Sequence, residues 1–330
     1  MKNLTRRSCL AMGFAGLPVL PLQAQLSPDK KESAAAQRRP LPKATIFKGE
    51  SRFQSIVEKA QKENWRKLAI GERVIRCARE MHGVPYENFT LEIDDKIESP
   101  SVNFNGLDCW TFFETSLGLA RMLAFEKTQY SPEDLLRQIQ VTRYRGGQCS
   151  GQYLERIHYL AEWFFENDAR GTCRHITPDL SGAARITNRK VTEMTTLWKG
   201  YRYLKNTPSL LAPMRKWEQR VEAMPVYHIP KDKVAAIEPE LRNGDVIGIA
   251  TKYHGGFCSH VGLAIRTEDK VTRFMHASRD YRKVVIDKSI SGYLAQYSKH
   301  AGIIVGRPLE ASQTITDEEQ YQTNLKKLIG

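Results

Sequence analysis

The feature that most constrains this fold is an abrupt change of pattern at Pro230. Before it, apolar residues recur at helical spacing in five segments. These segments are 53–82, 109–125, 132–140, 151–166 and 188–224. After it come short runs with β-type composition, separated by turn residues. These runs are 243–251, 260–266, 271–278, 283–289 and 302–307. Helices followed by an antiparallel sheet are typical of the α+β class, which is therefore the predicted fold class.

The N-terminal end has the pattern of an export signal. In residues 1–25, Lys2, Arg6 and Arg7 precede an apolar run that ends in small or polar residues suited to cleavage. The paired arginines also resemble a twin-arginine signal. The run is too short and too interrupted by prolines to span a bilayer, and we find no later segment apolar enough to do so. We predict a periplasmic or otherwise exported protein without stable membrane insertion, with a flexible polar arm over 26–50.

The chain is strongly basic, with a formal net charge of +13. Without Lys2, Arg6 and Arg7 the charge is +10. Such a charge favours a polyanionic partner. The bacterial cell wall carries free peptide carboxylates and suits an exported protein. No nucleic-acid-binding motif appears, so we expect no nucleic-acid partner.

Cysteine usage points to a free thiol. The cysteines are Cys9, Cys77, Cys109, Cys149, Cys173 and Cys258. Cys9 is removed with the signal, and the remaining five form an odd number in an oxidising compartment. At least one of them is therefore expected to be free, whereas Cys149 and Cys173 could pair.

Cys109 is the strongest candidate for a reactive thiol. It follows Asp108 and begins an amphipathic segment in which Phe112 and Phe113 share the apolar face. Asp is a favoured N-cap residue, so we expect Cys109 at the first helical position. Unpaired N–H groups there stabilise a thiolate and can also stabilise an oxyanion. A buried structural cysteine is the alternative interpretation.

Two histidines in the β region could serve such a nucleophile. His260 begins one run and shares a strand face with Gly262, and His276 lies near the end of the next run. If Ile265 pairs with Val271 across a hairpin, the two histidines lie directly opposite each other. A register of the other parity would place them on opposite faces. The expected arrangement is nucleophile, base and orienting residue, with each histidine alone also explicable as structural.

Six motifs in order carry a resemblance to a known family. They are GVPYENFTLE (83–92), NFNGLDCWTFFE (103–114), YLERIHYLAEWFFEN (153–167), LRNGDVIGIATK (241–252), SHVGLAI (259–265) and MHAS (275–278). The chain resembles exported N-acetylmuramoyl-L-alanine amidase-like proteins, a family once labelled a domain of unknown function. That family belongs to the NlpC-type branch of papain-like cysteine peptidases. The match extends from about residue 65 to about residue 308.

The resemblance implies a papain-like core in which the nucleophile helix packs on an antiparallel sheet. The implied segments are a single catalytic domain over 51–308, a helical insertion over about 126–230, a C-terminal sheet over about 241–307 and a polar tail over 309–330. We expect a monomer that needs no cofactor and no metal.

The resemblance also implies the reaction and its residues. Cys109 would be the nucleophile, His260 the general base and His276 the orienting residue. Tyr86 is similar to a tyrosine that assists the oxyanion, although it lies 23 residues before Cys109. The implied reaction hydrolyses the amide between N-acetylmuramic acid and L-alanine through a thioester. Small soluble muropeptides, notably those ending in 1,6-anhydro-muramic acid, are the implied substrates, which indicates cell-wall turnover or recycling.

The insertion is expected to shape the substrate cleft. Aromatic faces stack on sugars, and arginine pairs with carboxylates. The candidate substrate-binding residues are Tyr144, Arg145, Tyr153, Arg156, His158, Trp163 and Arg279. Helix packing or a solvated charge explains each of them equally well.

Several alternatives remain open. Cys149 in QCSGQY resembles the nucleophile motif of ordinary NlpC-type enzymes but lacks the preceding aspartate. Ser259 adjoins His260 but should face the opposite way on a strand. His254, Cys258 and His260 could ligate zinc.

Two alternatives concern the function itself. The nearest rival activity is that of a γ-D-glutamyl-diaminopimelate endopeptidase, which is the commoner activity of the wider superfamily. A non-catalytic protein that binds the cell wall is the other alternative.

Overall fold

The structure is a computed structural model that describes residues 40–330. The predicted signal peptide, 1–25, and the first part of the predicted arm lie outside the described residues. The last part of that arm is ordered structure, which differs from the prediction. Residues 43–48 form a helical turn and a short strand, because Phe47 is buried against Phe53 and Phe104.

Twelve α-helices are found in the described residues. They are α1 (Lys43–Ile46), α2 (Glu50–Lys62), α3 (Ile70–Arg79), α4 (Cys109–Met122), α5 (Pro132–Arg143), α6 (Leu160–Ala169), α7 (Glu193–Thr196), α8 (Arg202–Asn206), α9 (Leu211–Ala223), α10 (Val234–Ile237), α11 (Ile290–Ala295) and α12 (Glu318–Ile329).

The strands of the described residues number ten. They are β1 (Phe47–Lys48), β2 (Val102–Asn103), β3 (Cys173–His175), β4 (Ala184–Arg185), β5 (Tyr227–Pro230), β6 (Val246–Thr251), β7 (Cys258–Arg266), β8 (Thr272–Ser278), β9 (Lys283–Ser289) and β10 (His300–Pro308).

The α+β class is confirmed. The main sheet has the strand order β4-β5-β10-β6-β7-β8-β9, and β3 also pairs with β10. Its pairings are antiparallel. All five β runs expected from the sequence are strands of this sheet, and β6 to β9 follow one another as hairpins. Nine of these twelve α-helices, α1 to α9, precede Pro230.

The two faces of the sheet bury different clusters. Along β7, Leu263 faces the larger cluster and Ala264 faces the smaller one, as the strand alternation requires. Helix α4 packs against β7 and β8 within the larger cluster. Phe112 and Phe113 of α4 are fully buried there. The smaller cluster is covered by α10 and α11. The sheet is thus a central layer, and the start of α4 lies against it.

Long helices expected from periodicity are divided. The segment 53–82 breaks at Asn64, which has a left-handed backbone with φ of 54°. Residues 151–159 contain only one short 3-10 turn before α6 begins. Segment 188–224 forms α7, α8 and α9 with intervening turns, since Gly200 and Pro208 interrupt it. Charged periodic sequence therefore overestimates helix length here.

The predicted insertion is not purely helical. Between 126 and 230 it also contributes β3, β4 and β5, which extend the main sheet beyond β10. The predicted polar tail over 309–330 is folded as well, because α12 packs on α6. Tyr321 is buried there and donates its hydroxyl to Glu166. Polar composition alone did not predict that docking.

Two further observations concern cysteines and membranes. Cys77, Cys109, Cys149, Cys173 and Cys258 are all free thiols in the structure, so the candidate pair Cys149 and Cys173 is not bonded. No helix within residues 40–330 combines the length and the apolar character needed to cross a membrane.

Candidate active site

Cys109 occupies the first position of α4, as the sequence predicted. The Asp108 carboxylate accepts a hydrogen bond from the backbone N–H of Thr111 at 2.8 Å. In return, Thr111 Oγ1 accepts one from the backbone N–H of Asp108 at 3.1 Å. The second oxygen of Asp108 accepts the hydroxyl of Thr90 at 2.7 Å. A capping box of this kind fixes where the helix begins. The Cys109 thiol is therefore held beside the free N–H groups of the first turn.

Tyr86 lies beside this helix start despite the long sequence separation. The backbone of Pro85, Tyr86 and Glu87 runs along Leu107, with Leu107 N donating to Pro85 O at 3.0 Å and Glu87 N donating to Leu107 O at 3.1 Å. On its other side, Tyr86 N donates to Arg282 O at 2.9 Å. The segment thus bridges the cysteine motif to the start of β9. These backbone hydrogen bonds bring Tyr86 next to the start of α4 although 23 positions separate it from Cys109 in the sequence.

His260 and His276 meet, but in a register shifted from the expected one. The strands pair Ile265 with Arg273 and Leu263 with Met275, so the two histidines are diagonal neighbours instead of direct partners. The shift is two residues and preserves the strand face. His260 Nε2 lies 2.7 Å from His276 Nδ1. The parity of the predicted register is correct and its exact pairing is wrong.

The reason for the shift lies in the hairpin turn. The turn is centred on Asp269, whose carboxylate accepts the Thr267 hydroxyl at 2.6 Å and the Val271 N–H at 3.2 Å. Lys270 follows with φ of 62°. Aspartate is a favoured turn residue because its side chain bonds the nearby backbone in this way.

Gly262 makes room for the histidine pair. A Cβ at this position would lie 2.8 Å from His276 Cβ and 2.7 Å from the Phe274 ring. The ring of Phe274 stacks on His276 at a centroid distance of 4.6 Å. Only a glycine lets these two rings pack this closely over β7.

Asp287 completes the chain and was missed from the sequence. His276 Nε2 lies 3.4 Å from Asp287 Oδ2, and the side chain of Asp287 is 5% exposed. Asp287 lies on β9 two residues beyond Val285, the cross-strand partner of His276. In the sequence, a single aspartate directly after the apolar residues Val284, Val285 and Ile286 could have indicated it. His260, His276 and Asp287 are called the imidazole relay below.

The relay fixes the tautomers of both histidines. A carboxylate only accepts, so Asp287 requires the proton of His276 on Nε2. His276 Nδ1 then accepts from His260 Nε2–H. His260 Nδ1 is left with a lone pair, which is the atom a general base needs.

Cys109 and His260 line the same cavity. It has a volume of about 150 Å³ and lies between α4, α6, α7 and β7. Its described lining residues are Cys109, Trp110, His158, Tyr159, Leu160, Ala161, Glu193, Met194, Tyr201, Phe257, Cys258, Ser259, His260 and Val261. Cys109 and His260 therefore border the same small space.

The resting thiol and imidazole are both neutral at physiological pH. Burial, followed by the Asp108 charge, raises the pKa of Cys109 to about 12, and the backbone N–H groups of Val261 and Trp110 act in the opposite direction. Burial, followed by His276, holds the pKa of His260 well below its usual range. The hydrogen bond from His276 lowers the pKa of Asp287. His260 can thus accept a proton, and Asp287 stays ionised.

Comparisons with known proteins fit this geometry. The model of the N-acetylmuramoyl-L-alanine amidase-like family matches residues 76–303. The chain belongs to that family. The fold and the predicted amidase activity agree with this membership, which confirms that the protein is an amidase. Membership in a cell-wall amidase family also suits an exported protein.

Solved structures extend the comparison. An N-acetylmuramoyl-L-alanine amidase from Bacteroides uniformis is 29% identical, with a TM-score of 0.66 over 73% of this chain and 99% of its own. A Bacteroides fragilis protein provisionally named a xylanase is 30% identical, with a TM-score of 0.62 over 70% and 98%. A Legionella pneumophila protein from a domain-of-unknown-function family shares the fold at 22% identity, with a TM-score of 0.58 over 79% and 95%. Among proteins with curated descriptions, none matches significantly.

Most substrate-binding candidates in the insertion lie elsewhere in this amidase. The Tyr144 hydroxyl donates to buried Glu98 at 2.8 Å, and Arg156 bridges Glu98 and Glu92. These bonds use their polar atoms within the protein. Tyr144 and Arg156 therefore stabilise the fold instead of facing the cavity.

The aromatic candidates Tyr153 and Trp163 are also packed internally. Tyr153 is 2% exposed and stacks on Tyr203 at 4.5 Å. Trp163 is fully buried and meets Phe113 edge to face. Neither ring is free to stack on a sugar.

The remaining candidates differ from one another. Arg145 pairs with buried Glu162 and lies over the ring of Trp217, away from the cavity lining. His158 does line the cavity, and its Nε2 lies 3.1 Å from Tyr153 O. Arg279 is exposed. Burial, followed by the neighbouring Cys109 and Asp108, raises the pKa of Tyr86 to about 12, and the charge of Arg279 acts in the opposite direction.

The alternative nucleophiles and the zinc site are placed as follows. The Cys149 thiol lies 3.7 Å from Glu98 O, beside Tyr144 and outside the cavity. Ser259 is exposed at a β-bulge on the cavity rim. The ring of His254 accepts the Lys190 N–H at 3.3 Å. Within residues 40–330, no three His, Cys, Asp or Glu side chains form a metal-binding group.

Proposed function

We propose that this amidase hydrolyses the amide between the lactyl group of N-acetylmuramic acid and L-alanine, with Cys109 as nucleophile. The observation that carries the proposal is the hydrogen-bonded relay from Asp287 through His276 to His260, which ends in the cavity that Cys109 also lines. A nucleophile, a base and an orienting group in one chain are what covalent amide hydrolysis needs. The helix-on-sheet arrangement of α4 and β7 supports a papain-like core of the NlpC type.

In the first step, His260 Nδ1 takes the proton of the Cys109 thiol as the sulfur attacks the lactyl carbonyl carbon. The developing oxyanion is stabilised by N–H groups at the start of α4 and by the Tyr86 hydroxyl, which stays protonated because its pKa is raised to about 12. Collapse breaks the C–N bond, and His260 returns the proton to the leaving amine of L-alanine. A thioester on Cys109 remains.

In the second step, water replaces the amine. His260 takes a proton from water, and the oxygen attacks the thioester carbonyl. The C–S bond breaks, the sulfur regains a proton from His260, and the muramic acid is released with a free carboxyl group. His276 and Asp287 do not react, and they hold the His260 ring in the productive tautomer.

The size of the cavity supports small soluble substrates. A volume of about 150 Å³ is below that of pockets for drug-sized ligands. One terminal sugar fits such a space better than the middle of a glycan chain does. We therefore propose muropeptides released from the wall, notably with a 1,6-anhydro end, as substrates in turnover or recycling. Action in the periplasm as a monomer is part of the same proposal.

Glycosidase chemistry, suggested by the name of the Bacteroides fragilis relative, has less support. Glycosidases place two carboxyl groups about 5–9.5 Å apart around the scissile bond. Among the described residues that line this cavity, Glu193 is the only carboxylate. The relay ends at a cavity that is lined by Cys109 instead of by a second carboxyl group.

Mass spectrometry of digested muropeptides tests the proposal. Wild type should release an intact stem peptide that begins with L-alanine, from both anhydro and reducing-end substrates and in the presence of a chelator. Cys109→Ala should release none, whereas the matched variant Cys149→Ala should retain activity. Release of L-alanyl-γ-D-glutamate would indicate the endopeptidase instead. Hydrolysis by Cys109→Ala at the wild-type rate would overturn the mechanism.

A further inference from the structure

A second polar pair lies at the catalytic cavity and has no part in the proposed bond cleavage. Glu193 and Tyr201 both line it, and the Tyr201 hydroxyl donates to Glu193 Oε1 at 3.2 Å. Burial and the Glu193 charge raise the pKa of Tyr201, so this hydroxyl keeps its proton. The other carboxylate oxygen, Oε2, faces Gly256, 3.8 Å from where a Cβ would lie. One carboxylate oxygen is thus oriented by tyrosine, and the other lies beside Gly256 in a side chain that lines the cavity.

The backbone around Glu193 is held rigidly. The N–H groups of Thr192 and Glu193 both donate to Gly255 O, at 2.9 and 3.1 Å. The next N–H, of Met194, donates to the Tyr159 hydroxyl at 3.1 Å. These bonds fix the backbone of Glu193 before any ligand arrives, which lowers the entropic cost of binding.

Buried Glu218 anchors the same segment from behind. It is fully buried and accepts the Thr195 N–H at 3.0 Å and the Tyr159 hydroxyl at 2.8 Å. Arg215 neutralises it at 3.1 Å. A fully buried carboxylate, paired with a partly exposed arginine, thus holds a turn in which Glu193 itself is exposed.

Gly256 leaves a slot between an aromatic ring and the carboxylate. A Cβ there would lie 3.7 Å from the ring of Tyr159 and 3.8 Å from Glu193 Oε2. Both are ordinary van der Waals distances, so this slot is only one methyl group wide. The cavity beside it is lined by both Tyr159 and Glu193. An aromatic ring and a carboxylate in one cavity suit a sugar ring, whose apolar face stacks on aromatics and whose hydroxyl groups donate to carboxylates.

We propose that Glu193, oriented by Tyr201, binds a ring hydroxyl of the sugar on the acyl side of the scissile amide, and that the ring occupies the cavity beside Tyr159. This inference rests on the proposed function, because that reaction places a sugar on the acyl side. The acyl half of that substrate contains hydroxyl groups and no ammonium group, so the carboxylate has a neutral donor to bind. Glu193 and Tyr201 are specificity-determining residues that do not take part in bond cleavage.

The experiment compares two substrates with the same scissile amide. One is N-acetylmuramoyl-L-alanyl-D-glutamate, and the other is lactoyl-L-alanyl-D-glutamate, which lacks the sugar. Glu193→Ala should lower kcat/KM for the sugar substrate about 10- to 100-fold, mainly through KM, as expected for a lost hydrogen bond to a charged group. For the lactoyl substrate the change should stay within about twofold. Glu193→Gln keeps an acceptor oxygen and should give a smaller loss with the sugar substrate.

Two further variants sharpen the test. Gly256→Ala keeps the carboxylate but places a methyl group against both Tyr159 and Glu193, and should also raise KM for the sugar substrate selectively. Glu268→Gln, an exposed glutamate in the β7–β8 turn, is the matched control and should change neither substrate.

The possible failures are distinguishable. Equal losses on both substrates would assign Glu193 a structural role and overturn this inference. Unchanged kinetics on both substrates would place the sugar elsewhere and also overturn it, while leaving the proposed function intact. If wild type cleaved neither substrate but cleaved a peptide with a free L-alanyl amine, in a Glu193-dependent manner, the proposed function would fail and the carboxylate would bind an ammonium group.

Discussion

Two polar clusters lie along helix α4 and differ in how they end. At its first residue, Cys109 faces a cavity with the imidazole relay. Farther along the helix, Glu114 pairs with Arg143 at 2.7 Å, and both side chains are fully buried. Glu114 and Arg143, together with Glu92, Glu98, Tyr144 and Arg156, are called the buried ion cluster below. The relay ends at His260, which lines the cavity, whereas the ion pairs of the buried ion cluster are enclosed within the protein.

Residue type alone therefore does not distinguish residues that bind substrate from residues that stabilise the fold. Tyr144 and Arg156 have the chemistry expected of substrate contacts, yet their partners lie within the protein. His260 has an equally ordinary neighbour in His276, but its second nitrogen remains available at the cavity. A polar side chain that keeps an atom available at a cavity is therefore what distinguishes the candidate active site.

Replacing Cys109 at the catalytic cavity should cause the greatest loss of activity. Cys109→Ser should lower kcat/KM by on the order of 10⁴-fold or more, because the hydroxyl is a far weaker nucleophile beside the same base. The thermal unfolding midpoint should change little, since the replacement is nearly isosteric. Steady-state kinetics with circular dichroism check both points. A loss that follows unfolding would contradict the role of Cys109.

A substitution in the buried ion cluster should lower stability and leave activity largely unchanged. Arg143→Met leaves Glu114 as an unpaired buried charge and should lower the free energy of unfolding by about 3–5 kcal/mol. The activity of the remaining folded enzyme should stay close to that of wild type. Denaturant unfolding with matched activity assays measures this. Arg174→Met, which breaks the exposed pair with Asp179, is the control and should cost at most about 1 kcal/mol. A raised KM without a loss of stability would mean that the cluster binds substrate.

Asp287 acts through two imidazoles, so its effect should be intermediate. Asp287→Asn presents an amide that can donate to His276 and stabilise the wrong tautomer, and kcat should fall about 10- to 100-fold. KM should change much less, because Asp287 does not face the cavity. Asp179→Asn is the matched surface control. Unchanged kcat would show that the relay ends at His276.

Tyr144 belongs to the buried ion cluster through a single hydrogen bond. Tyr144→Phe removes one hydrogen bond to Glu98 and should lower the free energy of unfolding by about 1–3 kcal/mol. KM for muropeptides should not change. A higher KM with unchanged stability would restore the substrate role predicted from the sequence.

The smallest effect concerns pH. Only neutral His260 can accept the thiol proton, and burial lowers its pKa, so the neutral form persists below pH 6.5. The kcat/KM of wild type should therefore change less than about twofold between pH 8 and pH 6.5, with its acid limb at lower pH. A base with an ordinary pKa would already be half protonated at pH 6.5. An acid limb with an apparent pKa of 6.5 or above would contradict this account.

Local patterns predicted the framework of the site well. The β runs, the Asp108 cap and the shared face of the two histidines follow from strand alternation and helix capping, which depend on near neighbours in sequence. The register was displaced by two residues because Asp269, and not its neighbour, centres the turn. Such turn chemistry is readable in principle, and the parity that brings the histidines together was correct.

Long-range partners account for what the sequence did not reveal. Arg156 meets Glu92 across 64 positions, and nothing local shows that its charge is already neutralised. Glu193 belongs to a short turn whose position depends on Glu218 and Gly255, so its place at the cavity has no local signature. The docking of α12 through Tyr321 and Glu166 spans 155 positions and was missed for the same reason.

Trapping the covalent intermediate would identify the nucleophile. Wild type mixed with N-acetylmuramoyl-L-alanyl-D-glutamate and quenched in acid during turnover should carry a covalent adduct, detected by peptide mass spectrometry. The account predicts the mass of the muramoyl acyl group on the peptide that contains Cys109, and its absence from Cys109→Ala. An adduct on another residue, or one whose mass corresponds to the peptide half of the substrate, would contradict it.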